Sequence, residues 1–314
     1  MPMPPAVQLR AAALAICALG APAAFAAVAC SGKVPSGELT AQRIAAVTPS
    51  RSEPGLYEGP VWIGDALYFS DFGVGPGFPS RIRKLGAGDR VSTVLEDSGS
   101  NGLAVDAAGR LVVASHKDKA LVRYAPDGSG RTPLAQRYAG QVFDSPNDIA
   151  IAADGTIYFT DPDYQKAAAP GGQALTGVYR VGTDGKVTLV DGSRHNPNGI
   201  ALSPAGDVLY VGALDGVLKA HRIVNGVPDA GRDLVTGLDG PDGMTVDCHG
   251  NLYATEHGAQ RVRVFSPQGR QLASIRVDAN VTNAAFGGAD GRTLYITGAG
   301  ALWRIRLDVA GSPY

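Results

Sequence analysis

The sequence predicts an all-β chain folded as a six-bladed β-propeller, with four-stranded blades and a ring closed by an N-terminal strand. Three observations predict it. The 314 residues include 42 Gly and 21 Pro, set between short runs of Val, Ile, Tyr and Phe, as in a chain of short strands and many turns. One unit recurs six times at a period in the forties, the spacing of propeller blades. The last copy runs out one strand short, while a strand-like segment stands unused ahead of the first.

Residues 1–10 carry one cation, Arg10, followed by an apolar, Ala-rich stretch from Ala11 to Ala29. Residues 1–29 therefore read as a signal peptide, and the protein as exported, either periplasmic or secreted. Pro22 and the weak hydrophobicity of the stretch make it a poor membrane-spanning helix. Two cleavage points compete. Ala24-Phe25-Ala26 suits ordinary signal peptidase, whereas Ala27-Val28-Ala29-Cys30 resembles a lipobox, without its usual Leu, and would leave a lipid on Cys30. Cys17 departs with the signal, so Cys30 and Cys248 remain, too few for a disulfide framework. Cys248, in an Asp-Cys-His-Gly turn, reads as a surface thiol. Residues 30–40 read as a linker and 41–314 as the propeller domain.

The 28 Lys+Arg and 29 Asp+Glu leave a net charge of −1, and no basic segment offsets it. Nucleic acid is thereby excluded as a partner, and so is a membrane except through a lipid on Cys30. A monomer is expected.

The segment Gln42-Arg43-Ile44-Ala45-Ala46-Val47 is the unused strand, predicted to close the ring and cover its open edge. The first repeat opens with Glu58-Gly59-Pro60-Val61-Trp62 and continues into Leu67-Tyr68-Phe69-Ser70. Later copies start at Asn101, Asn147, Asn198, Asp242 and Asn283, with steps of 43, 46, 51, 44 and 41 counted from Glu58. In each of these five copies a turn glycine follows the polar residue by eight positions, and a second strand such as Ile157-Tyr158-Phe159-Thr160 comes after it. A further hairpin with a turn such as Asp127-Gly128 or Asp184-Gly185 completes the blade. The final copy ends at Leu302-Trp303-Arg304-Ile305-Arg306-Leu307.

Inner strands of a propeller line its axis, so equivalent positions form a ring at one height. Glu58, Asn101, Asn147, Asn198, Asp242 and Asn283 thus build a mouth of two carboxylates and four carboxamides. Asn-Gly and Asp-Gly are common turn formers, and turn chemistry alone accounts for the glycines. It accounts less well for Glu58, or for Asn147 and Asn283, which lack a following Gly. Carboxylate and amide oxygens without Cys or His suit a hard divalent cation, calcium best.

The Glu58-Gly59-Pro60-x-Trp62 opening, Ser145-Pro146-Asn147-Asp148 with Phe159-Thr160-Asp161-Pro162, Pro197-Asn198-Gly199-Ile200, Pro241-Asp242-Gly243-Met244 and Thr282-Asn283-x-x-Phe286-Gly287-Gly288 carry a resemblance. Over about residues 55–307 the chain resembles the gluconolactonase, senescence marker protein (regucalcin) and luciferin-regenerating enzyme family. The resemblance implies one divalent metal in the channel, Ca²⁺ or Zn²⁺, held by Glu58, Asn147, Asn198 and Asp242. Asn101 and Asn283 would line the substrate pocket.

It further implies hydrolysis of a sugar lactone, with the metal polarising the carbonyl and Asp242 acting as general base or holding the metal-bound water. His116 and His257 each lie fifteen residues after a ring residue and are expected at the mouth as substrate contacts or proton shuttles. Asp161, Asp163 and Tyr164 fall on the longest repeat, whose extra length reads as a lid. Ser145 stands where animal members carry Arg, and Asp144 where many bacterial members carry Asn, so substrate identity stays open. The alternatives are a promiscuous lactonase or phosphotriesterase on the same kind of propeller, as in paraoxonases and diisopropyl fluorophosphatase, or a non-catalytic propeller that binds calcium or another ligand. No Gly-x-Ser-x-Gly elbow, His-Glu-x-x-His helix or phosphate-binding loop occurs.

Overall fold

A computed structural model describes residue 1 and residues 30–47 and 55–312. The expected signal peptide, both of its cleavage motifs up to Ala29, and Cys17 lie outside the described residues. The rest is all-β, with two short 3-10 turns. Six antiparallel sheets follow one another along the chain. Blade 1 is Gly55–Ile63, Ala66–Gly73, Ser80–Leu85 and Val91–Leu95, and blade 2 is Ser100–Val105, Leu111–Ser115, Ala120–Tyr124 and Thr132–Ala135. Blade 3 is Ile149–Ile151, Ile157–Asp161, Gly177–Val181 and Val187–Asp191, and blade 4 is Pro197–Leu202, Val208–Ala213, Val217–Val224 and Arg232–Val235. Blade 5 is Pro241–Val246, Leu252–Glu256, Arg261–Phe265 and Gln271–Arg276. Blade 6 has Val281–Gly287, Thr293–Gly298 and Ala301–Arg306, with Gln42–Arg43 as its fourth strand.

The ring is therefore closed by the N-terminal segment, as the sequence predicts. The closing strand is shorter than the stretch 42–47, because only Gln42 and Arg43 pair, with Arg304 and Trp303. Ile44 and Val47 instead turn inward and bury in the seam between blades 6 and 1.

The apolar core is divided into six layers, one between each pair of neighbouring blades. The second strands explain this arrangement. Leu67 and Phe69 of blade 1 pack toward blade 6, while Ala66 and Tyr68 pack toward blade 2. Leu209 and Val211 of blade 4 face blade 3, and Tyr210 faces blade 5. Side chains of a strand alternate between its two faces, and both faces here meet another sheet. Apolar runs such as Leu-Tyr-Phe are what that burial requires.

Residues 30–40 are not a free linker. Gly37–Thr40 adds a parallel strand to the outer edge of blade 5. Cys248 is likewise not the surface thiol expected, because it forms a disulfide with Cys30 across 218 residues of chain. Sequence spacing alone gave no reason to pair two cysteines so far apart.

Candidate active site

The ring residues owe their placement to irregularities in the inner strands. The ladder to the second strand shifts register between Glu58 and Val61, Ser100 and Leu103, Pro197 and Ile200, Pro241 and Met244, and Val281 and Asn283. Such bulges bend a strand and re-aim a side chain. Gly102 and Gly199, which follow Asn101 and Asn198, are set by close approach rather than by a turn. A Cβ on Gly102 would lie 2.2 Å from the Asn147 carbonyl oxygen, and one on Gly199 would lie 2.1 Å from that of Asp242. Each glycine lets the next inner strand approach closely.

Hydroxyls on the second strands lock the arrangement. Ser70 donates to the Asn101 carbonyl at 2.6 Å and Thr160 to the Asn198 carbonyl at 2.6 Å, each reaching into the following blade. Thr255 donates to the Thr282 carbonyl at 2.9 Å, and Thr282, on the inner strand of blade 6, donates in turn to the Tyr57 carbonyl at 2.5 Å. These hydroxyl-to-carbonyl bonds cross four of the six blade seams, and the Gly102 N–H donates to the Asn147 carbonyl at 2.6 Å across a fifth.

Glu58, Asn101, Asn147, Asn198 and Asn283 are all buried, and the Asp242 side chain is 14% exposed. Glu58 Oε2 accepts from the Gly59 N–H at 2.7 Å and from Asn283 Nδ2 at 3.3 Å. Burial, with the charges of Asp242 and Asp148, raises the Glu58 carboxyl well above its ordinary value. Burial also raises Asp242, opposed chiefly by the His257 imidazole. Asn198 Oδ1 and Asn101 Oδ1 are buried without a hydrogen-bond partner. Crowded carboxylates and an unpartnered amide oxygen at one mouth form an all-oxygen donor set that fits a hard divalent cation. The family resemblance assigns Glu58, Asn147, Asn198 and Asp242 as the residues to hold it.

The two histidines diverge. His257 Nδ1 lies 2.7 Å from the Val281 carbonyl and 3.6 Å from Asp242 Oδ2, with its side chain 36% exposed. Asp242 raises the His257 pKa. His116 is fully buried, with Nε2 2.8 Å from the Phe78 carbonyl and its ring edge-on to Phe72 and Phe78. Burial lowers its pKa to about 4, so it stays neutral. In this structure it holds the loop between Gly73 and Ser80 through the Phe78 carbonyl, and its Nδ1 is buried without a hydrogen-bond partner.

The long loop of blade 3, expected as a lid, is tied to its own blade and the next by hydrogen bonds. The Asp163 N–H donates to Asn196 Oδ1 at 3.0 Å, Ser145 Oγ donates to the Pro162 carbonyl, and the Gln173 N–H donates to Asp144 Oδ1 at 2.8 Å. Lys166 pairs with buried Asp144 at 2.9 Å, and Asp161 accepts the N–H groups of Asp144 and Ser145. This wall carries Tyr164, whose hydroxyl donates to the Asn196 carbonyl at 3.3 Å and lies against the Asn198 amide. Burial and the Asp242 charge push its phenol upward, so it remains a donor.

One ring-associated carboxylate was missed in the sequence. Asp148 occupies the position that Gly fills after Asn101 and Asn198, and it is buried. Its oxygens accept the Ile149 N–H at 3.0 Å and the Ile200 N–H at 3.2 Å. The broken Asn-Gly pattern of the third repeat was the available signal. With Asn283, Asp148 faces a cavity of about 500 Å³ on the far side of the ring, walled by Val61, Leu103, Ile200 and Met244. Asp154, Ser203 and Thr245 share that lining with the apolar residues.

This geometry can be compared with known proteins. Residues 56–300 match the SMP-30/Gluconolactonase/LRE-like region. The chain belongs to the SMP-30/gluconolactonase/LRE-like family. It is 32% identical over 291 residues to a gluconolactonase of Zymomonas mobilis, covering 81% of this chain and 79% of that one. It is 28% identical over 261 residues to a pentonolactonase of Haloferax volcanii, covering 78% and 82%. The solved structure of a gluconolactonase from Xanthomonas campestris superposes with a TM-score of 0.73 at 30% identity, covering 90% of this chain and 99% of that one. This family member is a hydrolase of lactones, which sets aside the non-catalytic reading.

Proposed function

We propose that the protein hydrolyses an aldonolactone in a reaction that depends on one divalent metal, most readily calcium, at the ring of Glu58, Asn147, Asn198 and Asp242. One observation carries this reading: buried carboxylates crowd a mouth where Asn198 Oδ1 has no partner. Without a cation this assembly is costly, and with one it becomes a coordination shell. The gluconolactonase and pentonolactonase relatives support a sugar lactone as substrate. When bound, the metal supplies Lewis-acid polarisation of the lactone carbonyl.

The chain's own residues then have distinct tasks. Asp242, in the mouth beside His257, accepts a proton from the attacking water. The water oxygen bonds to the carbonyl carbon, the ring C–O bond breaks, and the ring oxygen takes up the proton that Asp242 removed from the water, giving the open hydroxy acid. His257 lies beside Asp242 and can relay that proton to the ring oxygen. Asn101, with its unpartnered Oδ1, and Tyr164, with its hydroxyl at the wall, face the hydroxyl groups of the sugar. Asn283 holds Glu58 in place through its amide.

Initial-rate hydrolysis of D-glucono-1,5-lactone, corrected for spontaneous opening, tests this reading. The rate should vanish with chelator, return with Ca²⁺ or Zn²⁺, and fall by at least about a hundredfold in Asp242→Asn. No enzymatic rate with metal demonstrably bound would overturn the substrate assignment. We also infer that the protein is exported, supported by the composition of residues 1–29.

A further inference from the structure

The first residues after the expected signal form a strap across the rear of the propeller, at the ends of the inner strands opposite the ring. Ser31 Oγ accepts from Arg292 at 2.8 Å, and the Gly32 carbonyl lies 3.3 Å from His249 Nε2. Gly32 has φ +100°, and a Cβ there would sit 2.0 Å from the Asp308 carbonyl, so the strap is pressed onto the C-terminal tail. Gly37–Thr40 then runs along blade 5, the Ala41 N–H donates to the Arg276 carbonyl, and Gln42–Arg43 completes blade 6.

The same turn of blade 5 receives the other chain end. The Cys248 N–H donates to the Ala310 carbonyl at 3.0 Å, and the Ser312 N–H donates to the Val246 carbonyl at 2.9 Å. Cys30 and Cys248, with Cα atoms 5.4 Å apart, sit at this junction, and the Cys30 sulfur is 3.3 Å from His249 Nδ1. Non-covalent contacts along residues 31–43 thus bring the two cysteines within disulfide reach. Their bond covalently fastens the strand that closes the ring.

We propose that Cys30 is the covalent anchor of the closing strap in the exported protein, bonded to Cys248, and therefore that it is not the site of lipid attachment. The inference rests on the reading of residues 1–29 as an export signal. A cysteine has one sulfur: a thioether to diacylglycerol and a disulfide to Cys248 exclude each other. The disulfide forms by exchange with an oxidised dithiol carrier of the exporting compartment. Two thiols lose two protons and two electrons to give the S–S bond, and the carrier's disulfide is reduced to a dithiol. Signal cleavage then falls upstream of Cys30, at the Ala24-Phe25-Ala26 site, and the mature protein carries no acyl chain on this residue.

The test is mass spectrometry of the full chain exported by a Gram-negative host, with thiols alkylated before and after reduction. Expected are a Cys30–Cys248 cross-linked peptide, no alkylation before reduction, and an N-terminus upstream of Cys30. A diacylglyceryl mass on Cys30, or two alkylated thiols in the exported protein, would overturn the proposal. The lock is tested apart from export on purified protein oxidised in vitro. Cys30→Ser and Cys248→Ser should each lower Tm by about 10 °C, and the double variant no further, because all three remove one bond. Lactonase kcat/KM at 25 °C should stay within twofold, since the bond lies on the face opposite the ring. Unchanged Tm, or additive losses in the double variant, would refute the lock. Chain retained in the cytoplasm with both thiols free would refute the export reading and, with it, the assignment of this bond to the mature protein.

Discussion

Asp148 is a concentrated electrostatic liability of the metal-free channel, and its cost has a worked size. Burial raises its carboxyl to about 7 from an ordinary 3.8, with the Asp242 charge adding to the shift and the Ile200 and Ile149 N–H groups opposing it. Between those values the folded chain holds a proton that the unfolded chain has released. Stability therefore falls as pH rises through the window. At ~1.4 kcal/mol per pH unit the full window is worth about 4 kcal/mol, and the part between pH 5 and pH 7 about 3 kcal/mol. Asp148→Asn imitates the protonated form and removes this dependence. Any pH-independent cost of placing an amide beside the Ile149 and Ile200 N–H groups cancels in the comparison of slopes. The assay is urea unfolding of chelator-treated protein at pH 5 and pH 8, at constant ionic strength. The stability lost between the two should be about 3 kcal/mol smaller in the variant than in the parent. A residual slope from Glu58 and Asp242, which the same burial raises, should remain. Equal slopes in the two proteins would refute the reasoning.

Three further substitutions probe the site. Gly199→Ala places a Cβ 2.1 Å from the Asp242 carbonyl oxygen, so it should cost about 3 kcal/mol or more in unfolding free energy and lower kcat/KM at least about tenfold by moving Asp242. His116→Ala removes a buried ring and its bond to the Phe78 carbonyl, so urea unfolding should show a loss of about 3 kcal/mol while KM stays within twofold. A large rise in KM at unchanged stability would instead make His116 a substrate contact. Tyr164→Phe deletes one hydroxyl at the wall of the mouth and should raise KM for glucono-1,5-lactone about fivefold. For δ-valerolactone, which has no hydroxyls, KM should be unaltered; equal effects on both substrates would contradict a role in sugar recognition.

The propeller was legible because its physics repeats. Six polar residues, their spaced turn glycines and six apolar second strands follow from one blade geometry used six times, so Glu58 through Asn283 align without a structure. What stayed hidden depends on contacts between copies. Gly102 and Gly199 look like turn residues in a single repeat, and only the neighbouring inner strand shows why no Cβ fits. Asp148 looked like a variant of that glycine, yet its carboxyl sits where two blades meet. His116 and His257 share a repeat offset and a sequence context, but the loop carrying Phe78 covers the first and no such loop covers the second. The Cys30–Cys248 bond joins segments 218 residues apart, whose proximity is set by ring closure.

Everything proposed for catalysis turns on the oxygen ring at this mouth binding one divalent cation on which lactone hydrolysis depends. Its most direct test is a calcium titration of chelator-stripped protein, with bound metal and hydrolysis rate read on the same samples. The rate should rise in proportion to occupancy and saturate at one ion per chain. Asp242→Asn and Asn198→Ala should lose both together or, for Asp242→Asn at saturating metal, the rate alone. A full rate in the stripped protein, or an ion bound with unchanged affinity when Glu58, Asn198 and Asp242 are each replaced, would contradict it.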